Sequence, residues 1–168
     1  NYVRMIMDPS LGPTVLRSFG FSAASVVVTT VIALALAVWI HRLPARSGFI
    51  VQLVVILPWI ISTVVATLLF RWVFVDDIGL ASAAVRMVGL MPIQPLNSPV
   101  GAMILLIAVS VWKRVGYAAI VLLAGLKSIP DDLDEAAQID GAGGWQVFRH
   151  ITAPLLRTPL LLVAIVLT

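Results

Sequence analysis

The chain has 168 residues, 61% of them hydrophobic and only 11% charged, and its mean hydropathy is +1.08. Soluble domains carry about 25% charged residues, so this much apolar surface points to lipid as the solvent and excludes an ordinary water-soluble fold. The net charge of +3 does not indicate nucleic acid, because the 11 Lys and Arg form no basic run; the absence of cysteine excludes disulfides, iron–sulfur clusters and Cys-based zinc sites, and His41 and His150 are isolated and do not read as metal ligands.

In chain order, residues 1–18, with Asp8-Pro9 and Pro13, read as an interfacial lead-in. The start at Asn1 and the end inside an apolar run at Thr168 read as an internal fragment of a longer protein. A spanning helix needs about 20 mostly apolar residues. Phe19 to Ile40 meets that, and Trp39 followed by His41 and Arg42 marks an interface. Residues 41–48, "HRLPARSG", form a tight turn. A second span covers 49–72, with Pro58 expected to kink it, and Arg71 and Trp72 at its end. Residues 75–99 form a loop with Pro92, Pro95 and Pro99, and a short helix is expected over 79–88.

The third apolar stretch, 100–126, is interrupted by Lys113 and Arg114. Split there, each piece is too short to cross alone, so one long helix with cations near its middle is expected. A polar segment follows over 127–154, and a fourth span begins near 155 and runs on from Thr168. The fold expected is all-α: a polytopic helical membrane protein. A slight excess of cations places 41–48 and 127–157 on the cytoplasmic side.

The polar segment "SIPDDLDEAAQIDGAGGWQVFRHITAPLL" is the informative part. Pro130 suits the first turn of a helix, and the acids at 131, 132, 134 and 135 suit its positive N-terminal end. Leu133, Ala136, Ala137 and Asp140 recur at helical spacing and make a narrow face whose small residues admit a close partner. Gly141 is placed to end that helix in a left-handed cap. Trp145, Phe148 and Ile151 give a second short amphipathic piece. A cytoplasmic loop lying on lipid is the plain alternative, although four acids oppose an anionic leaflet.

These residues resemble the EAA loop of ABC-importer permeases: Glu135-Ala136-Ala137, then Gly141, Ile151 and Pro154 at the family's spacing, with Ala153 where Leu is usual. The stretch "LAGLKSIPDDLDEAAQIDGA" is similar to carbohydrate-type permeases, the group of maltose and glycerol-3-phosphate importer subunits. The resemblance implies a type I ABC-importer permease core, in which the loop docks on a cytoplasmic ATPase dimer. Glu135 would pair with a cation there, Ala136 and Ala137 would give close contact, and Gly141 would set the turn, with Leu133 and Asp140 on the same helix. It also implies a second permease subunit, an extracytoplasmic solute-binding protein, a prokaryotic cell membrane, and ATP with Mg held by the ATPase subunit. No cofactor, metal or catalytic residue is expected in this chain itself, which reads as a transport subunit and not an enzyme. "GLKS" at 125–128 lacks the glycine that a phosphate-binding loop needs before its lysine.

A charge at mid-bilayer costs at least ~2.5–3.5 kcal/mol, so Lys113 and Arg114 should face protein or water. One reading makes them part of a translocation pathway for a sugar, with Trp112, Tyr117, Pro58 and Trp59 as further lining. The other makes them a structural pair with an acid or snorkelling anchors, with the aromatics simply packed. Neighbours on a helix point about 100° apart, so both cations cannot face one pore. Glycerol 3-phosphate is the alternative solute. A proton-coupled secondary transporter and a membrane scaffold are the alternative classes; the first lacks an intramembrane acid, and the second leaves mid-helix cations unexplained.

Overall fold

In this computed structural model of the protein, residues 9–75, 79–89, 95–130, 132–133, 137, 139 and 141–168 are described. Every regular element among them is helical. The order is α1 (Leu11–His41), α2 (Ala45–Ile60), α3 (Thr63–Phe74), α4 (Leu80–Met87), a 3-10 turn (Pro95–Asn97), α5 (Pro99–Lys127), α6 (Gly144–Leu155) and α7 (Arg157–Leu167). By length and apolarity α1 and α5 can each cross a membrane, and the pairs α2–α3 and α6–α7 could each be one broken span. Only 28% of the apolar window of α1 and 22% of that of α5 is buried within the chain, which leaves broad apolar flanks for lipid or other subunits.

Two expectations about the elements need correction. The segment 11–18 is helical and continuous with the first span, not a separate lead-in. Pro13 falls in the first turn of α1, where its missing N–H costs nothing, and the hydroxyls of Thr14 and Ser18 donate to the carbonyls four residues back. The second span is not a single helix kinked at Pro58. Pro58 lies inside α2, and the break comes three residues later, where Ile61 (φ −66°, ψ 134°) and Ser62 (φ −54°, ψ 136°) are extended.

The chain forms two compact units, one of Asn1–Val27 with Ser62–Val111, the other of Val28–Ile61 with Trp112–Thr168. In the first, α4 packs on α3 and the Ser82 side chain is buried. Its α5 segment starts with Ser98 as N-cap: the Ser98 hydroxyl accepts the Gly101 N–H at 3.0 Å, and Pro99 takes the first helical position.

The second unit has a core of small and branched residues, including Ala33, Ala37, Ala118, Ala119, Leu122 and Val163. Small side chains let helix backbones approach closely, the usual packing device where lipid surrounds the bundle. Gly125 shows it on α5: an added Cβ would lie 2.7 Å from Cγ of Pro159 and 3.1 Å from Cδ2 of Leu156. The Pro159 ring cannot rotate away, so Gly125→Ala is expected to cost about 1–3 kcal/mol as an overpacked contact. A lowered thermal midpoint of the detergent-solubilised protein would show it; an unchanged midpoint would mean that α7 shifts freely.

Candidate functional site

The mid-span residues meet at the end of α2. Lys113 sits at the middle of α5, and its ammonium donates to the carbonyl of Ile61 at 2.6 Å and, more weakly, to that of Trp59 at 3.5 Å. Tyr117 lies one turn further along the same face of α5. Its ring stacks on Trp59 with centroids 4.5 Å apart and planes 15° from parallel. Such an aromatic pair contributes about 0.5–1.5 kcal/mol beyond its buried area. Between the two side chains lies Gly116, where an added Cβ would come 2.6 Å from the carbonyl carbon of Val55 and 3.1 Å from Cα of Ile56. The α2 and α5 backbones therefore touch directly.

Arg114 departs from this cluster, as the helical angle requires. Its guanidinium donates to the Leu167 carbonyl at 2.5 Å. Among the described residues no acid pairs with either cation, so the structural-pair reading takes a different form: both cations bind backbone carbonyls. Of the six residues expected along a pathway, the structure brings together Trp59, Lys113 and Tyr117. Pro58 adjoins them and leaves the Val54 carbonyl without its usual donor four residues on. Trp112 is 37% exposed.

The second candidate site is the polar turn. Glu135, Ala136 and Asp140 lie outside the described residues. Leu133 and Ala137 are helical and Leu133 is exposed. Gly141 has φ +81°, and the Ala142 N–H donates to the Ala137 carbonyl at 2.9 Å. A left-handed glycine followed by a bond spanning five residues is the Schellman closure of a helix, so the chain reverses sharply at this position. Gln146 then fixes the next start, its side-chain oxygen accepting the Gly143 N–H at 2.8 Å. Trp145 stacks on Phe148 with centroids 5.6 Å apart.

Phe148–Thr152 forms a π-turn inside α6, a feature that periodicity did not indicate. The signal for it is Pro154, whose ring presses on the carbonyl four residues back in an α-helix; a wider turn relieves that contact. Between α6 and α7 the axis bends by 63°. A cavity of about 410 Å³ lies under the turn, lined by Val38, His41, Arg42, Leu126, Phe148 and Thr152 among others. A second, of about 390 Å³, opens beside Ala137, Gly141, Gln146 and His150. No cluster of metal-ligating side chains exists among the described residues. What the two sites offer is shape, a fixed cation, aromatic faces and a rigid turn.

Comparison with known proteins shows the family and the fold. Residues 30–167 match the family model described as the binding-protein-dependent transport system inner membrane component. The chain is 32% identical over 168 residues to the trehalose/maltose transport system permease protein MalF of Thermococcus litoralis, covering 99% of this chain and 56% of that protein. It is 32% identical over 166 residues to the sulfoquinovosyl glycerol transport system permease protein SmoG of Agrobacterium fabrum, covering 99% and 53%. The chain thus spans about half the length of the curated relatives it matches. Its fold superposes with a TM-score of 0.87 on a chain of a bacterial alginate ABC transporter crystallised with an alginate pentasaccharide-bound periplasmic protein, at 25% identity over 99% of this chain and 58% of that one. The chain belongs to the family of binding-protein-dependent transport system inner membrane components.

Proposed function

We propose that the chain is part of a multi-pass permease subunit of an ATP-driven importer in the cell membrane, forming half of a translocation pathway for a sugar or related solute. The observation that carries this reading is the Schellman closure at Gly141, where the Ala142 N–H donates to the Ala137 carbonyl and fixes the turn that directly follows the Glu135-Ala136-Ala137 sequence. A turn closed by its own backbone can transmit force from a partner, whereas a flexible loop cannot. The partner is a cytoplasmic ATPase dimer that binds ATP and Mg; this chain holds neither. A second permease subunit completes the pathway, and an extracytoplasmic binding protein delivers the solute. The names of the relatives, trehalose/maltose and sulfoquinovosyl glycerol, support a saccharide-like cargo. The stacked Trp59 and Tyr117 rings offer the apolar faces that a sugar ring uses.

The test is charge reversal in the full complex. Glu135→Lys places a cation against the cation expected on the ATPase. Binding-protein-stimulated ATP hydrolysis is expected to fall roughly tenfold or more, the scale of reversing one partner of an interfacial charge pair, while the permease still inserts. Undiminished stimulation in Glu135→Lys would remove the coupling role.

A further inference from the structure

Among the described residues, the ends of α1, α3, α4 and α5 close with their own backbone; the end of α2 does not, and the Leu167 carbonyl at the end of α7 also takes a side-chain donor, Arg114. After α1, Arg42 and Leu43 donate to Trp39 and Ile40; after α3, Gly79 donates to Val75; after α4, Val88 and Gly89 donate to Val85 and Arg86. After α5, Ser128 and Ile129 donate to Gly125 and Leu126, and Ala142 closes the polar turn on Ala137. The end of α2 has no such bond among the described residues. Ile61 and Ser62 are extended, and Ser62 provides no side-chain cap to α3. In place of a peptide N–H, the Lys113 ammonium reaches in from 52 residues away and donates to Ile61 and Trp59.

We propose that Lys113 is the C-cap of the broken second span, a positioning residue whose charge is directed at backbone and not at solute. Three independent features support this. Orphan carbonyls at a helix end need donors, and deep in an apolar span water is scarce. A cation at a helix C-terminus is also favoured by the helix dipole. Finally, the carbonyl oxygens it binds belong to the residues that set the Trp59 ring on Tyr117, so capping the break and holding the aromatic platform are one event. The inference rests on the permease reading only for the use made of the platform; the cap itself is a statement about the backbone.

These 168 residues contain no cysteine, so a subunit made cysteine-free elsewhere permits a clean test. In complexes whose other subunits are also cysteine-free, Lys113→Met should raise amide hydrogen exchange over residues 57–66 roughly tenfold or more, as expected when a local opening loses a capping bond, and should lower uptake. Lys113→Arg, which still donates, should exchange nearly as the wild type does. Lys113→Cys should behave like Lys113→Met, and aminoethylation of that thiol, which rebuilds an ammonium on a chain of almost lysine length, should restore slow exchange and uptake together; methylthiolation, which adds no donor, should restore neither. Should Lys113→Met fail to assemble, recovery of assembly by Lys113→Arg alone gives the same answer. Wild-type exchange in Lys113→Met, or equal rescue by the neutral reagent, overturns the cap. Full uptake by Trp59→Ala would instead count against the pathway reading and leave the exchange result to decide the cap.

Discussion

Gly116→Leu is expected to abolish the assembled protein. The glycine has no unusual dihedral; its importance is space alone. A single Cβ there would sit 2.6 Å from the Val55 carbonyl carbon and 3.1 Å from Cα of Ile56, and both are backbone atoms that no rotamer change can move. Relief requires α2 and α5 to separate. That separation undoes the neighbouring contacts too, because Lys113 and Tyr117 flank Gly116 and reach Ile61 and Trp59 only while the backbones touch. Overpacking in a well-filled interior costs typically about 1–3 kcal/mol where side chains can adjust. Here they cannot, and the lost cap adds about 1–3 kcal/mol for each carbonyl left unsatisfied. Gly116→Ala should already lower the yield of folded protein, and Gly116→Leu should leave none detectable by size-exclusion chromatography in detergent. A monodisperse Gly116→Leu complex of normal yield would show that the α2–α5 contact is not what holds this unit together.

The parts of this fold that were legible in the sequence are those set by local chemistry. Lys113 and Arg114 leave pieces too short to span, and one continuous helix runs over Pro99–Lys127. The divergence of those two cations follows from helical geometry alone, and they do bind different carbonyls. Gly141 announces a left-handed turn by its place after a small-residue helix, and its φ is positive. The break at Ile61–Ser62 was not legible, because neither residue is a helix breaker. Pro58 drew the expectation of a kink, yet a proline within a helix can be accommodated when neighbours satisfy the freed carbonyl. The true break is stabilised by a donor distant in sequence, and no local pattern carries that information. Gly116 was equally silent: a lone glycine in an apolar helix reads the same whether it faces lipid or a backbone.

The second large effect is expected at the polar turn, from Gly141→Val, and its cause is the opposite of that at Gly116. No atom lies within 4 Å of the place where a Cβ on Gly141 would sit. The cost is therefore conformational: at φ +81° an L-residue meets its own backbone. That penalty is roughly 1–2 kcal/mol for an ordinary residue, and more for a β-branched one, which is a rare outlier there. Asparagine tolerates the left-handed region best among the alternatives. Binding-protein-stimulated ATP hydrolysis should consequently fall in the order Gly141→Asn, Gly141→Ala, Gly141→Val, with the asparagine variant close to wild type and the valine variant near basal. Insertion and assembly should be alike in all three, since no packed atom is displaced. A different order would point to contact as the determinant; if Gly141→Asn failed as badly as Gly141→Val, the glycine would matter because a partner surface fills the space around it, and the turn geometry would be secondary. The expected order instead identifies the Ala142-to-Ala137 closure, held by one glycine, as what keeps this turn rigid enough to be pushed.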